Sequence, residues 1–330
     1  ELALDNIARY EPEVAKVYLH LGEMYDAMND TENGLASYLN ALEIYEQLVK
    51  ENPERYEPLY SKAMMGAGTV NFFLKNYDKT EEYYAEVLKI NKRLTQLNHQ
   101  LYGVDYMTSL INVGYFNQEY LETKLDLSYR DKGLSAIKEL QKVIEKSDDS
   151  VPIVQALFDN ANRVEDYFNN FTQEKLNLLI EIRDLTELNE NIQSESKPVK
   201  RIKKQMKLVE RFDELLSLHP ENEKLILPAS SAYDYLAGYC VFDKQFRKGE
   251  QAAMKALKIN PNRRDFNINL ALSLLFQGKL ESAELLIAEM KDLRYENKTY
   301  KEEFLEYFDA LEKEGIKHPD VAIIRKKLME

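Results

Sequence analysis

The sequence predicts an all-α protein, a solenoid of about six or seven stacked antiparallel helix hairpins. The tetrapeptide Arg-Tyr-Glu-Pro at 9–12 returns at 55–58, 46 residues further on. Self-similarity at a fixed period is the sequence signature of stacked repeats. Apolar residues recur at helical spacing along the chain, and its 330 residues include only 11 glycines and 9 prolines. Such a composition favours helix nearly throughout.

The first block contains three long repeats. Residues 29–31 separate the two helices of the first hairpin, and residues 76–78 separate those of the second. We expect Pro12 and Pro58 to begin the first helix of their hairpins, because proline in a first helical turn forfeits no hydrogen bond. The third repeat is longer, and its turn is predicted near 129–131. This is about seven residues later than the 46-residue period would place it.

The repeat pattern changes twice in the remaining sequence. After the first block the pattern degenerates into helices interrupted by a loop near 194–198. The period then becomes 34 residues, which places Ala271 at the position of Ala237. Capping helices follow, the last of them starting at Pro319. The predicted domains are 1–148 with extended repeats, 149–228 with degenerate helical repeats, and 229–330 with two standard repeats plus capping helices.

These repeats resemble the tetratricopeptide repeat, or TPR. The matching residues of the first unit are Tyr18, Leu21, Gly22, Tyr25, Gly34, Tyr38 and Ala41. Those near the C-terminus are Tyr233, Leu236, Ala237, Gly249, Ala253, Ala256 and Pro261. The N-terminal repeats resemble the extended type found in kinesin light chains and bacterial signalling proteins, whereas the C-terminal ones resemble the standard 34-residue type. Asn71 and Asn117 depart from the pattern, which has tyrosine there.

The resemblance implies a right-handed superhelix whose concave groove is lined by the first helix of each hairpin. It implies a non-enzymatic protein–protein interaction scaffold that binds a protein or peptide partner in this groove, in bacterial signalling or regulation. The alternative is a sensor or regulatory arm that packs on a covalently linked effector enzyme domain of a larger protein. A weaker third hypothesis, a true enzyme, would need a cluster of titratable groups, and the pattern supplies none.

Charge and cysteine content narrow the function classes. The net charge of −13 argues against nucleic acid and against anionic membrane surfaces as partners. No apolar run is long enough to span a membrane. Cys240 is the only cysteine, so no intrachain disulfide can form and a cytoplasmic location is expected. The chain begins with Glu1 rather than Met, which suggests processing or excision from a longer protein.

We predict no catalytic residue, no metal site and no cofactor. The four histidines lack the spacing of metal ligands, and no glycine-rich phosphate loop is present. Cys240 falls on an inward position of a first helix, where a small buried side chain is expected.

Two sets of residues are candidates for partner binding. Asn71, Asn112 and Tyr115 fall on predicted first helices, and such side chains suit adaptable peptide recognition, although core packing is the alternative. Lys200, Arg201 and Lys204 belong to a basic run with no acid from 197 to 207. That run is a solvated helix start, a partner for the protein's own acidic surface, a docking patch for an acidic partner, or a contact with nucleic acid.

Some TPR domains grip a C-terminal carboxylate with Lys and Asn on the first helices. The corresponding residues here are Leu19, Glu23, Gly66, Thr108 and Asn112, of which only Asn112 matches. We therefore predict no carboxylate clamp.

Overall fold

The computed structural model describes residues 2–148, 150–295 and 298–329, and most of them are helical. Glu1, on which the expectation of a processed chain rests, lies outside the described residues. The predicted all-α architecture is confirmed. The helices are α1 (Leu2–Ala27), α2 (Thr31–Glu51), α3 (Pro53–Phe73), α4 (Tyr77–Leu97), α5 (His99–Lys124), α6 (Ser128–Ile144), α7 (Pro152–Asn169), α8 (Gln173–Gln193), α9 (Pro198–Leu218), α10 (Glu223–Phe242), α11 (Phe246–Ile259), α12 (Asn267–Leu275), α13 (Leu280–Met290), α14 (Tyr300–Lys313) and α15 (Pro319–Met329).

Two short elements complete the inventory of the described chain. A 3₁₀ turn at Arg264–Phe266 leads into α12. Strands β1 (Arg294–Tyr295) and β2 (Lys298–Thr299) form a small antiparallel ribbon in which Arg294 pairs with Thr299. Thr299 then caps α14 through a reciprocal pair of hydrogen bonds with Glu302, which fixes where that helix begins.

The chain divides into two compact units, Glu1–Leu179 and Ile180–Glu330. In the first unit, successive helices pack as the hairpins α1/α2, α3/α4 and α5/α6, and the first helices α3 and α5 also touch. In the second unit, α10/α11 and α12/α13 form the corresponding pairs. The structure thus shows the repeated helix hairpins that the resemblance implied. The division at 148 and 228 remains a prediction.

The turn inside each hairpin has one geometry that repeats with the sequence period. A single residue there adopts the left-handed conformation, with φ of 57° at Asn29, 59° at Lys75 and 54° at Leu125. In the second unit the same place is taken by Lys244 at 60° and Gly278 at 76°. Asn29 and Lys75 are 46 residues apart, and Lys244 and Gly278 are 34 apart, so both predicted periods reappear in the backbone.

The third turn lies at Leu125, so the predicted turn at 129–131 is wrong. Those residues belong to α6, because the carboxylate of Asp126 accepts a hydrogen bond from the amide of Ser128 at 2.8 Å and starts the helix earlier. The extra length lies in α5, which has 26 residues against 21 in α3.

Neither Pro12 nor Pro58 begins a helix, contrary to the prediction. Both lie inside helices, and α3 begins at Pro53. The side chain of Asn52 accepts a hydrogen bond from the amide of Arg55 at 3.2 Å, and Pro53 occupies the first position, where its missing N–H is harmless. Pro58 therefore removes one bond from the helix ladder.

Glycines on first helices make room for one large ring from a second helix. A Cβ atom on Gly22 would lie 2.6 Å from the ring of Tyr38, and one on Gly66 would overlap the same ring. Tyr38 is thus held between α1 and α3, and its hydroxyl donates to Asp26 at 2.7 Å. The arrangement recurs one period later, where a Cβ atom on Gly68 would lie 2.8 Å from the ring of Tyr84.

A chain of buried polar side chains links α3, α4 and α5. The hydroxyl of Ser61 donates to Oδ1 of Asn91 at 2.6 Å. The Nδ2 of Asn91 donates to the hydroxyl of Ser109 at 2.7 Å, which donates in turn to the carbonyl of Asp105 at 2.6 Å. Because each buried group has a partner, the chain fixes how the three helices are aligned.

Candidate functional site

Asn112 and Tyr115 lie together on α5 and face α3 across a groove of about 360 Å³. Phe73 lies on the opposite side, at the end of α3, and its side chain is 72% exposed. The side chain of Tyr115 on α5 is 38% exposed. Glu119 supplies negative charge to the lining. We call this the α3–α5 groove; its lining residues are Thr69, Phe72, Phe73, Tyr84, Asn112, Tyr115, Gln118 and Glu119.

A cluster of aromatic rings supports the groove from below. Phe72 contacts Phe116 edge-on with ring centroids 6.5 Å apart, and Tyr84 contacts Phe116 in the same way at 6.1 Å. Tyr120 packs on Phe116 at 5.1 Å, and both are buried. Rings packed edge to face hold one another in place, and Phe73 contacts Phe72 of this cluster with centroids 5.8 Å apart, so the α3 side of the groove stands on packed rings.

The amide of Asn112 is available at the groove with little competition. Its one hydrogen bond among the described residues runs from Nδ2 to the sulfur of Met65, at 3.3 Å. A thioether is a weak acceptor. The Oδ1 atom of Asn112 makes no hydrogen bond to a described residue, so this side chain retains capacity for a ligand.

Asn71 lies elsewhere and has a different surrounding. It is buried, its Nδ2 donates to the carbonyl of Ala67 at 2.8 Å, and its Oδ1 accepts from Asn76 at 3.2 Å. These bonds stay within the α3/α4 hairpin. The structure does not bring Asn71 to the α3–α5 groove, and a role in binding stays a prediction.

Two residues of the basic run at the start of α9 are bonded to the loop before it. Lys204 forms an ion pair with Glu195 at 2.7 Å, and Arg201 donates to the backbone carbonyl of Glu195 at 2.8 Å. The guanidinium of Arg201 also lies over the ring of Tyr239, 5.1 Å from its centroid. Lys200 is exposed and makes no ion pair with a described residue.

A second cavity, of about 320 Å³, lies among α9, α10, α12 and α14, and the sequence did not point to it. Its one acidic group is Asp234 on α10, which accepts a hydrogen bond from Asn269 of α12 at 2.8 Å. Burial raises the pKa of Asp234 to about 7, with the charge of Asp265 adding to the effect. We call it the α10–α12 cavity; its lining residues are Pro198, Arg201, Asp234, Tyr235, Gly238, Tyr239, Phe242, Asn269 and Tyr307.

One signal in the sequence could have drawn attention to this cavity. Tyr235 and Tyr239 are four residues apart and so share a helix face, and Asp234 lies next to them. The contribution of Asn269 is not visible in the sequence, because it comes from 35 residues further along.

Cys240 is buried, as its predicted inward position on the helix requires. Burial raises the pKa of its thiol to about 11. A thiol with so high a pKa is a poor nucleophile at neutral pH.

Within residues 2–148, 150–295 and 298–329, no group of three or more His, Cys, Asp or Glu side chains could hold a metal ion. In the same residues, no helix has the length and apolar character that crossing a membrane requires.

Comparison with known proteins gives matches among solved structures alone, since no family model and no curated protein matches the chain. The TPR2AB domain of yeast Sti1, from a complex with pHSP90, is 11% identical and covers 84% of this chain and 89% of its own, with a TM-score of 0.29. The TPR domain of P58(IPK) is 14% identical, covering 92% and 99%, with a TM-score of 0.33. A thermophilic TPR protein of Thermus thermophilus is 16% identical, covering 79% and 99%, with a TM-score of 0.22. Because these TM-scores are below 0.5, the fold rests on the hairpins described above.

Proposed function

We propose that this chain is a non-enzymatic scaffold that captures a segment of a protein partner in the α3–α5 groove. The observation that carries the proposal is the pair of exposed rings, Phe73 and Tyr115, that line one groove together with Asn112. Large exposed apolar side chains that cluster in one groove mark interaction surfaces, and aromatic residues dominate the energetics of such surfaces.

The groove offers each kind of contact that a peptide needs. An apolar side chain of the partner would pack between Phe73 and Tyr115, and the amides of Asn112 and Gln118 would bond to its backbone. Glu119, together with a net charge of −13, favours a segment with basic residues. The resemblance of the N-terminal repeats extends the proposal to signalling or regulation in the bacterial cytoplasm, with neither nucleic acid nor membrane as partner.

The basic run supplies a second proposed contact for the same role. Lys200 is exposed at the start of α9, whereas Arg201 and Lys204 are engaged with Glu195. An acidic stretch of a partner would reach Lys200 directly and would compete with Glu195 for Lys204.

The test is a double substitution in the groove, Asn112→Ala with Tyr115→Ala. Affinity capture from the source cell followed by mass spectrometry would identify partners of the unmodified chain. We expect the double variant to weaken their binding at least about tenfold, because truncating a central aromatic and its polar neighbour costs more than about 1.4 kcal/mol.

A matched control lies on the same helix. Gln100→Ala with Leu101→Ala also removes one exposed polar and one exposed apolar side chain from α5, outside the groove. It should leave partner recovery unchanged. If the groove variant, with an unaltered circular-dichroism spectrum, retains the partners as well as the control does, the groove assignment is wrong.

A further inference from the structure

Asp234 is a carboxyl group in an aromatic cavity that is also lined by Arg201. It makes no ion pair with any residue that the structure describes. One of its oxygens accepts from Nδ2 of Asn269 at 2.8 Å, and the other makes no hydrogen bond to a described residue. Tyr235 and Tyr239 stack with ring centroids 6.4 Å apart beside it, and Tyr307 lines the same cavity.

Polar atoms around this carboxyl group also lack partners. Asn269 is buried, and its Oδ1 has no hydrogen bond within the described chain. The hydroxyl of Tyr239 is buried without a partner as well. Native proteins rarely leave such groups unsatisfied, so this cluster calls for an explanation beyond packing.

The charge of Arg263 lowers the pKa of Asp234, but the hydrogen bonds of the nearby basic residues run to other groups. Arg263, just before α12, is bonded twice to Asp265, at 2.8 Å and 2.5 Å. Arg201 of α9 donates to the carbonyl of Glu195 and lies over Tyr239. From α14, the group that faces Asp234 is the Tyr307 hydroxyl, whose pKa is raised to about 12 by burial first and by the Asp234 charge second.

We propose that the α10–α12 cavity binds the ammonium group of a lysine side chain from a protein partner, with Asp234 as its counter-ion. The rings of Tyr235 and Tyr239 would lie along the methylene stem and contribute cation–π attraction. The volume of about 320 Å³ lies at the small end of the range for ligand pockets and has room for a lysine side chain. This site shares no residue with the α3–α5 groove and stands independently of the proposed function.

The geometry favours ammonium over guanidinium. Asn269 already occupies one oxygen of Asp234, which leaves one oxygen for a ligand. Arginine binds carboxylates best through two parallel bonds to both oxygens, whereas an ammonium group is a compact point charge that one oxygen can satisfy.

The test uses N-acetyl-lysine methylamide as the probe and its norleucine analogue, which keeps the stem without the amine. Binding to the full chain is measured by ligand-detected NMR titration at pH 8. We expect the lysine probe to bind at least about tenfold tighter than the norleucine probe. Equal affinity of the two probes would overturn the proposal, and tighter binding of the arginine analogue would contradict the preference for ammonium.

The variants assign the effect to the carboxyl group. Asp234→Asn should lose at least about tenfold in affinity, and its matched control Glu223→Gln, an exposed acid on the same helix, should lose nothing. Tyr235→Leu, at a side chain already 37% exposed, should weaken binding about threefold without affecting folding. Unchanged affinity in both Asp234→Asn and Tyr235→Leu would refute the site.

Substitution of Arg201 distinguishes a site for cations from a site for anions, because the two predict opposite changes in probe affinity. Removing its charge in Arg201→Gln should strengthen binding of the lysine probe, because a like charge in the lining of the cavity is lost. Tighter binding of the acetyl-glutamate analogue than of the lysine probe, together with weaker binding in Arg201→Gln, would instead identify a site for acidic side chains. Free cadaverine binding far tighter than the lysine probe would point to a small amine and overturn the partner side chain as the source.

Affinity for the lysine probe should rise about tenfold from pH 6 to pH 8 in the unmodified chain. The reason is that the cation binds the ionised form of Asp234. Because the pKa of Asp234 is raised to about 7, most of its ionisation takes place between pH 6 and pH 8. The other titratable or charged groups around Asp234 are Arg201 of α9, Arg263 and Asp265 before α12, and Tyr307 of α14. Asp234→Asn should therefore give a flat profile, and a profile that keeps its slope in this variant would contradict the assignment.

Discussion

Tyr38 shows at the residue scale how the sequence period becomes packing. Its ring fills the space left by Gly22 on α1 and Gly66 on α3, and its hydroxyl is tied to Asp26. Desolvation raises the pKa of Tyr38, and the bond to Asp26 raises it further, so the phenol stays neutral in the folded protein. The ring is 3% exposed and held on both sides, so it cannot move aside.

Gly22→Ala is expected to lower the free energy of unfolding by about 1–3 kcal/mol, because the added methyl group would overlap a ring that cannot retreat. Gly103→Ala on α5 is the control, since its new Cβ would lie 3.4 Å from the nearest atom of His99, an ordinary contact. Alanine is also the better helix former, so this variant should gain up to about 1 kcal/mol. Urea denaturation measures both, and a gain in Gly22→Ala would show that the ring adapts.

Residues such as Gly22 and Tyr38 could be predicted from the sequence because small and large residues recur at fixed spacing. The binding residues could be predicted only in part. Asn112 and Tyr115 do line a groove, whereas the hydrogen bonds of Asn71 stay within its own hairpin. Asp234 and Asn269 meet only because α10 packs on α12, and no local pattern encodes that meeting.

At the scale of elements, the hairpin turn is the most regular feature, and it places residues with side chains in the left-handed conformation. Lys75 has φ of 59° and is exposed. A side chain in this conformation costs about 1–2 kcal/mol relative to glycine, of which glycine's greater freedom in the unfolded state cancels part. Gly278, at the same place in the second unit, shows the residue that the geometry prefers.

Lys75→Gly should therefore raise the free energy of unfolding by up to about 1 kcal/mol. Lys89→Gly is the control, because Lys89 is an exposed lysine within the same hairpin but inside helix α4. It should lower the free energy of unfolding by about 1 kcal/mol through poor helix propensity. Thermal unfolding followed by circular dichroism separates the two signs. Equal losses in both variants would mean that strain at Lys75 is negligible.

Helix ends were predictable where capping residues are strong and unpredictable where two signals compete. The Asn52-Pro53 pair ends α2 and also begins α3, so Pro58 looked like a start signal although the helix was already formed. The third turn was missed because it comes earlier than predicted: α5 ends at Lys124, and the hydrogen bond from Ser128 to Asp126 starts α6 before residues 129–131.

At the scale of the whole molecule, two repeat lengths occupy two compact units, and packing within each runs mainly between neighbours in sequence. In such repeat architectures, stability is approximately a sum of repeat and nearest-neighbour terms. A local defect should then loosen its own repeat more than distant ones, and native-state hydrogen exchange reports such local opening.

Hydrogen exchange can locate this loosening within the first unit. In Gly22→Ala, amide exchange should accelerate most in α1, α2 and α3, which surround Tyr38, and least in α6 and α7. Gly133→Ala gives the reciprocal experiment, since its new Cβ on α6 would overlap the ring of Phe168 on α7. It should accelerate amide exchange in α5, α6 and α7 and leave exchange in α1 unchanged.

Uniform acceleration of exchange over the unit in both variants would show that the unit opens cooperatively as a whole. A defect anywhere in the unit would then affect a partner bound in the α3–α5 groove. Localised acceleration would mean that a defect at α1 reaches the groove only through its α3 side, because α5 is held by the chain of buried hydrogen bonds through Ser61, Asn91 and Ser109.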